Sequence, residues 1–320
     1  MAQGNRRPPG RQHRLVSARH YVYDNAIPAA LTVESGDTVT FECPEAADGQ
    51  FTRESSVALL KTLDWQRIHA LTGPIAMQGA APGDALKVEV LEFAHHGWGW
   101  TSVIPGFGLL ADEFGATERL RIWTVGADDR AEAIPGVRIP IDPFMGEMGV
   151  AWAEPGPHPT MPPTLHGGNL DSRHTGRGCT LYFPVDVVAA LFSTGDGHLA
   201  QGDGEVCGIA IEAPLDVTLR FTLIKNLSLP AVRFETSAPT THKVDGQGYY
   251  VTSGMGPDLH QSARDAVRRM LDLLECERGL ERADAYMLAS VAGDLKIAVP
   301  VLGPGHASHV TFHMPKSIFT

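Results

Sequence analysis

Between Phe192 and Gly208 the chain reads Phe-Ser-Thr-Gly-Asp-Gly-His-Leu-Ala-Gln-Gly-Asp-Gly-Glu-Val-Cys-Gly, with glycine at 195, 197, 202, 204 and 208. Glycine takes φ > 0 without steric cost, so such a stretch can turn tightly and draw its other side chains together. Those side chains are Asp196, His198, Asp203 and Glu205, residue types that ligate divalent metals. The run therefore predicts a tight loop in which His198 and one or more of the carboxylates hold a metal. Glu205 can instead serve as a general base for a metal-activated water. The competing reading is two Asp-Gly turns capped by their own carboxylates, with a surface histidine.

The rest of the sequence bounds the fold class. Thirty-four Gly and 23 Pro in 320 residues mark many turns between short elements, so the chain reads as strand-rich. Val33, Val39 and Phe41 fall in two alternating runs split by Ser35-Gly36-Asp37, and Leu86, Val88 and Val90 alternate after Pro82-Gly83-Asp84. Both stretches predict a strand, a tight turn and a strand in hairpin form. Further strands are expected over 120–125 and 137–141, and from Gly208 to Leu223 with Pro214 separating two of them. Helix is concentrated near the C-terminus. Leu259, Ala263, Ala266, Val267, Met270, Leu271 and Leu274 form an apolar stripe after Asp258, with Gly279 beyond its end, and a second helix is expected over 282–291. The last strand region, 298–312, carries a Gly303-Pro304-Gly305 break.

No flexible linker divides the chain. Residues 1–14 read as a basic, disordered arm and 15–320 as a single domain. The net charge of −11, with no long basic run, excludes a nucleic-acid backbone as partner. No apolar run approaches the ~18–20 residues that cross a bilayer. Cys43, Cys179, Cys207 and Cys276 form no C-x-x-C pair, which predicts free thiols and a cytoplasmic setting.

Other residues carry weaker chemical signals. Asn169 and Asp171 lie in a Gly-rich stretch, His69 precedes a strand, and Cys207 follows Glu205 closely enough to suggest a thiol nucleophile. His95 and His96 are adjacent on a strand and point to opposite faces, so they do not share an ion. Trp98 and Trp100 share a face and are expected to pack.

Taken together, the segments resemble the acetamidase/formamidase family. The likeness is carried by Asp24-Asn25-Ala26-Ile27-Pro28, Val33 to Val39, Asp48-Gly49-Gln50, Leu71-Thr72-Gly73-Pro74-Ile75 and Gly79 to Asp84. It continues through Pro143-Phe144-Met145-Gly146, Gly167 to Asp171, Leu191 to Gly208 and Met314 to Phe319, in order from about Asp24 to the C-terminus. The resemblance implies a mainly β architecture, a β-sandwich plus a barrel-like part. It also implies hydrolysis of short linear or cyclic carboxamides to a carboxylate and ammonia, a divalent metal in some members, and a homo-oligomer. Tyr23 stands where the family usually has Trp, and His95-His96 replaces a more acidic stretch. Both departures touch substrate identity rather than reaction class. On this reading His198 and Asp171 ligate the metal with His69 as a third ligand, and Asp196 and Asp203 are supporting or alternate ligands. Glu205 is general base and acid, and Asn169 contacts the substrate. Zinc is the expected ion because calcium prefers six to eight oxygens and seldom takes histidine. The alternatives are a non-catalytic Ca²⁺-binding β-sandwich and a cysteine amidase built on Cys207.

Overall fold

The computed structural model of the chain describes residues 10–237, 243–300 and 307–320. It is mainly β, with two α-helices near the C-terminus among the described residues. Two sheets form a sandwich. The first runs Gln12–Leu15, Thr38–Cys43, Leu215–Ile224, Ala85–His95, Thr180–Pro184, Arg233–Glu235. Its alternation is the one read from sequence: Val39, Phe41 and Cys43 are buried and their neighbours half-buried. The second sheet has Phe144–Val150, Phe192–His198 and Leu71–Met77 at its centre, and every residue of these three strands is buried. Phe192 joins the layers. Its ring meets Phe41, Phe183 and Phe221 of the first sheet at centroid distances of 6.1, 5.6 and 5.2 Å. Each described sheet is open, so the part expected to be barrel-like is not a closed barrel.

The two Gly-Asp turns are corners between sheets, not hairpins. Leu31–Val33 pairs in parallel with Leu71–Met77 in the second sheet, while Thr38–Cys43 lies in the first. Leu71–Met77 and Ala85–His95 are likewise split between the sheets. Alternation alone cannot separate the two cases, because a strand shows the same face pattern whichever sheet it joins. The same bonds hold both corners. Asp37 Oδ2 accepts from the Glu34 N–H, and Asp84 Oδ2 from the Ala81 N–H, each at 2.9 Å. The Gly36 N–H donates to the Phe221 carbonyl and the Phe221 N–H to the Asp37 carbonyl; Gly83 and Asp84 make the same reciprocal pair with Val185.

Asp84 is buried, and it also accepts from Lys225 Nζ at 2.5 Å and the Asn226 N–H at 3.0 Å. Burial works to raise its pKa, but these donors win and hold the carboxyl below its ordinary value. Asp84→Ala leaves the Ala81 and Asn226 N–H groups without their acceptor, while Lys225 keeps the Gly79 carbonyl, and is expected to cost about 1–3 kcal/mol, read as a lower denaturant midpoint at pH 7. The folded pKa lies below the unfolded one, so this stability is complete above ~pH 4 and is lost as the pH falls through the folded value. The difference between variant and parent should therefore shrink in acid. An unchanged midpoint at pH 7 would remove Asp84 from the corner's support.

The C-terminal region is a three-stranded antiparallel sheet of Tyr249–Gly256, Ser308–Pro315 and Asp294–Val299, packed against α1 (Leu259–Arg278). Asp258 caps α1 by accepting from the Gln261 N–H, and Gly279 ends it at φ 65°. The second helix, α2, spans Arg282–Ala292. The Gly303-Pro304-Gly305 break and residues 1–9 of the arm lie outside the described residues. Gln12–Leu15 pairs in parallel with Thr38–Phe41, so residues 12–14 of the stretch read as an arm belong to a strand. Among the described residues no helix is long and apolar enough to cross a membrane.

Candidate active site

The Gly-Asp-Gly-His stretch is a buried strand, not a loop, and its glycines serve close approach rather than turning. A Cβ on Gly195 would lie 2.4 Å from the Ala70 carbonyl oxygen, and one on Gly197 would lie 2.7 Å from that of Ala213. The left-handed residue is Asp196 itself, at φ 56°. The ladder to Phe144–Val150 pairs Met145 with Gly197 and Glu147 with Gly195, with no pair between Gly146 and Asp196. A Cβ on Gly146 would lie 2.5 Å from Asp196 Oδ2, 2.7 Å from Asp171 Oδ1 and 2.8 Å from His198 Cε1. Gly146 is thus the floor over which three functional side chains meet. Asp171, Asp196 and Glu205 hold φ of 42°, 56° and 40°, so the acids occupy backbone that L-residues seldom adopt.

A chain of hydrogen bonds fixes the His198 ring. Gln201 Nε2 donates to the Asp171 carbonyl at 2.7 Å, which turns Gln201 Oε1 toward His198 Nδ1 at 2.9 Å. Nδ1 therefore carries hydrogen, and Nε2 faces the acids. Nε2 lies 3.3 Å from Asp196 Oδ2 and 3.2 Å from Glu212 Oε2, yet hydrogen-bonds to neither. Asp171 Oδ2 accepts from Asn169 Nδ2 at 2.6 Å, and His69 Nδ1 pairs with Glu147 Oε2 at 3.1 Å. Two groups bring their ligand atoms within 4.8 Å of one another: Asp171, Asp196 and His198, and His198, Glu205 and Glu212. His69 lies outside both.

Glu205 is half-buried in the 202–208 turn, which α2 holds in place. Tyr286 Oη donates to the Val206 carbonyl at 2.5 Å, Ser290 Oγ donates to that of Ile209 at 2.8 Å, and the Cys207 N–H donates to Ser290 Oγ at 3.2 Å. Gly202 is required because a Cβ there would overlap the Gly293 carbonyl at 1.8 Å.

Charge at the site is unbalanced. Five carboxylates (Glu147, Asp171, Asp196, Glu205 and Glu212) face two imidazoles, and the cavity that four of the acids line, all but Glu147, has no Lys or Arg in its lining among the described residues. Burial, with like charges beside them, pushes Glu147, Asp171 and Glu212 up to about 7, and pushes Glu205 well above the carboxylate range. Burial also acts on Asp196, but His69 and His198 hold it well below its ordinary value. Burial lowers the basicity of His69, yet Asp196 and Glu147 raise it to about 10; for His198 the carboxylates of Glu212 and Asp196 likewise outweigh burial. Buried atoms with no hydrogen-bond partner include Glu147 Oε1, Asn169 Oδ1, Asp171 Oδ1, Asp196 Oδ1, His198 Nε2 and Glu212 Oε2. Orphaned oxygens around a fixed imidazole nitrogen form a donor set that fits a divalent cation.

His69, Asn169, Asp171, Asp196, Glu205 and Glu212 line one cavity of about 310 Å³ whose other walls are apolar. The sequence-derived residues thus converge, with one exception. Asp203 turns away, its carboxylate 3.4 Å from Arg173 Nε and 3.2 Å from His174 Nε2. Its nearness in sequence did not translate into direction, because the 202–208 turn reverses the chain. Cys207 is buried and does not line the cavity, its thiol donates to the Ser102 and Ile209 carbonyls, and burial pushes its pKa up to about 12, the setting of a structural thiol rather than of a thiolate. His96 pairs with Asp216 at 3.0 Å, and Trp100 stacks on Phe51 at 3.7 Å, as the packing reading expects. Glu147, Glu212 and Gly146 were not singled out from sequence. Glu212 is the sole charge in Ile209-Ala-Ile-Glu-Ala-Pro, and a lone acid in such an apolar run was the available signal. The segment is not a strand; Glu212 makes isolated bridges to Trp100 and His198 instead.

Comparison with known proteins gives concordant matches. The sequence model of the Acetamidase/Formamidase family matches residues 6–158 and 153–320. An acetamidase of Mycolicibacterium smegmatis is 30% identical over 263 residues, covering 62% of this chain and 64% of that protein. A formamidase of Methylophilus methylotrophus is 28% identical over 257 residues, covering 62% of each. The match therefore spans less than two thirds of these curated relatives. Among solved structures, a gamma lactamase from Delftia acidovorans superposes with a TM-score of 0.87 at 23% identity, over 96% of this chain and 93% of that one. An acetamidase from Bacillus halodurans gives 0.67 at 29% identity, over 94% and 96%.

Proposed function

The chain belongs to the Acetamidase/Formamidase family, and from that premise we infer that it hydrolyses a carboxamide to a carboxylate and ammonia at the Asp196–His198 cluster, with a divalent cation bound there. The observation that carries the reading is the set of orphaned carboxylate oxygens gathered near His198 Nε2, beside a cavity lined by no Lys or Arg among the described residues. Asp171, Asp196 and His198, with Glu212 beside the same imidazole nitrogen, would hold the ion; one imidazole nitrogen in the set favours zinc over calcium. Such an ion supplies Lewis acidity and lowers the pKa of water from ~15.7 towards ~7.

The chain's own residues do the remainder. Glu205 lines the cavity close to His198, where its carboxylate would take a proton from water and return it to the departing nitrogen. Proton return matters because an amide anion is a very poor leaving group. Asn169 gives one Nδ2 hydrogen to Asp171, and its unpartnered Oδ1 would accept from the substrate's N–H. His69, charged and backed by Glu147, puts positive charge on the wall where a carbonyl oxygen becomes negative.

The test separates this reading from a thiol mechanism. Dialysis against a chelator is expected to remove stoichiometric metal and bring amide hydrolysis to background, with Zn²⁺ restoring both. Iodoacetamide and Cys207→Ser are expected to leave activity within about twofold, since no thiolate is needed. Activity that survives chelation but is lost rapidly to iodoacetamide would overturn the metal-assisted route.

A further inference from the structure

We propose that the carboxamide taken by this site is uncharged and carries a ring-sized apolar group on its acyl side. This rests on the hydrolase reading above and adds a substrate class to it. The cavity measures about 310 Å³. An apolar cavity of about 150 Å³ already accepts benzene, and a water takes about 30 Å³ of liquid volume. Formamide or acetamide would leave most of the space to water, against walls that offer it few hydrogen bonds. Those walls are Leu63, Ile68, Trp100, Ile104, Phe107 and Ile209. Leu63 and Trp100 belong to a small apolar core, separate from the main one, against which Ile68 and Ile209 also pack.

The wall is built in advance of any ligand. Trp100 lies on Phe51 with ring planes 14° apart, and its Nε1–H donates to buried Glu45 Oε2 at 3.0 Å. Glu45 also accepts from the Ala47 and Phe51 N–H groups at 2.8 and 3.2 Å, tying wall and loop together. Phe107 sits over Gly208, where a Cβ would come within 2.5 Å of its ring. A stacked, hydrogen-bonded wall keeps its shape, so the apolar space is a binding surface and not a packing gap. An anionic acyl chain would meet the carboxylates of Asp171, Asp196, Glu205 and Glu212, and a cationic one would give up hydration for apolar carbon.

The experiment compares phenylacetamide with acetamide on the full-length, metal-loaded enzyme. Burial of a phenyl group in such a cavity is expected to raise kcat/KM about 30- to 100-fold over acetamide. Ala46→Phe, which fills the cavity, and Leu63→Trp, which narrows it, are each expected to cut that ratio at least about tenfold. If both amides are hydrolysed and acetamide is the equal or better substrate, the apolar-substrate proposal falls while the hydrolase reading stands. If neither is hydrolysed, the hydrolase reading falls, and calorimetry decides the cavity. Phenylacetamide bound at least tenfold more tightly than acetamide supports the proposal, and equal affinity overturns it.

Discussion

Gly146→Ala is expected to lower kcat/KM for carboxamides at least about 10²-fold and to reduce bound metal, while the far-UV circular dichroism stays native. A single methyl group has this reach because of where it points. Its carbon would lie 2.5, 2.7 and 2.8 Å from atoms of Asp196, Asp171 and His198, all closer than carbon can approach without displacing them. None of the three can give way freely. Asp196 is a buried residue in left-handed backbone, His198 is tied to Gln201, and Asp171 is tied to Asn169. Overpacking of this kind costs about 1–3 kcal/mol of stability, which a protein of this size tolerates, whereas a site displaced by 1 Å does not work. Metal content and kcat/KM are measured on the same preparation. A variant with native metal content and activity within tenfold of the parent would show that the three side chains do not act together.

Glu205→Gln should separate proton transfer from ion binding. If Glu205 takes and returns the proton, kcat falls about 10²- to 10⁴-fold while the metal stays bound. The amide keeps the shape of the side chain and the turn pinned by Tyr286 and Ser290, so the change is chemical rather than structural. The pH profile adds a second readout. A base must be deprotonated, so activity in the parent rises with pH as Glu205 loses its proton, and that limb should vanish in the variant. Metal lost in proportion to activity would instead make Glu205 a ligand, which its closeness to His198 and Glu212 permits geometrically.

How far the sequence leads differs between parts of this molecule. Residue chemistry marked Asp171, Asp196, His198 and Glu205, because acids and histidine among glycines have little structural use. It did not mark Glu147, which sits in a short Gly-Glu-Met-Gly stretch and is brought to His69 by Phe192–His198, which pairs with Phe144–Val150 on one side and with Leu71–Met77 on the other. Asp203 carries the same local signature as Asp196 and faces the other way, toward Arg173. Alternation located the strands around Val39, Phe41 and Val88, and the caps located α1. Partnership between strands was not legible, since Asp37 and Asp84 turn the chain into a different sheet with the same residues that close a hairpin.

Part of the reacting centre and most of the apolar wall come from different kinds of segment. Asp196, His198 and Glu147 stand on central strands buried on both faces, where almost any change disturbs the core. Ala46, Leu63, Ile68, Ile104, Phe107 and Met161 come instead from connecting segments between strands. Loops accept substitution and length change far more readily than buried strands. Inheritance can therefore hold the cutting apparatus constant while the recognised molecule drifts. Relatives that share this centre are then expected to differ in diet more than in mechanism, and grafting the 44–68 segment between them is a direct route to new amide preferences.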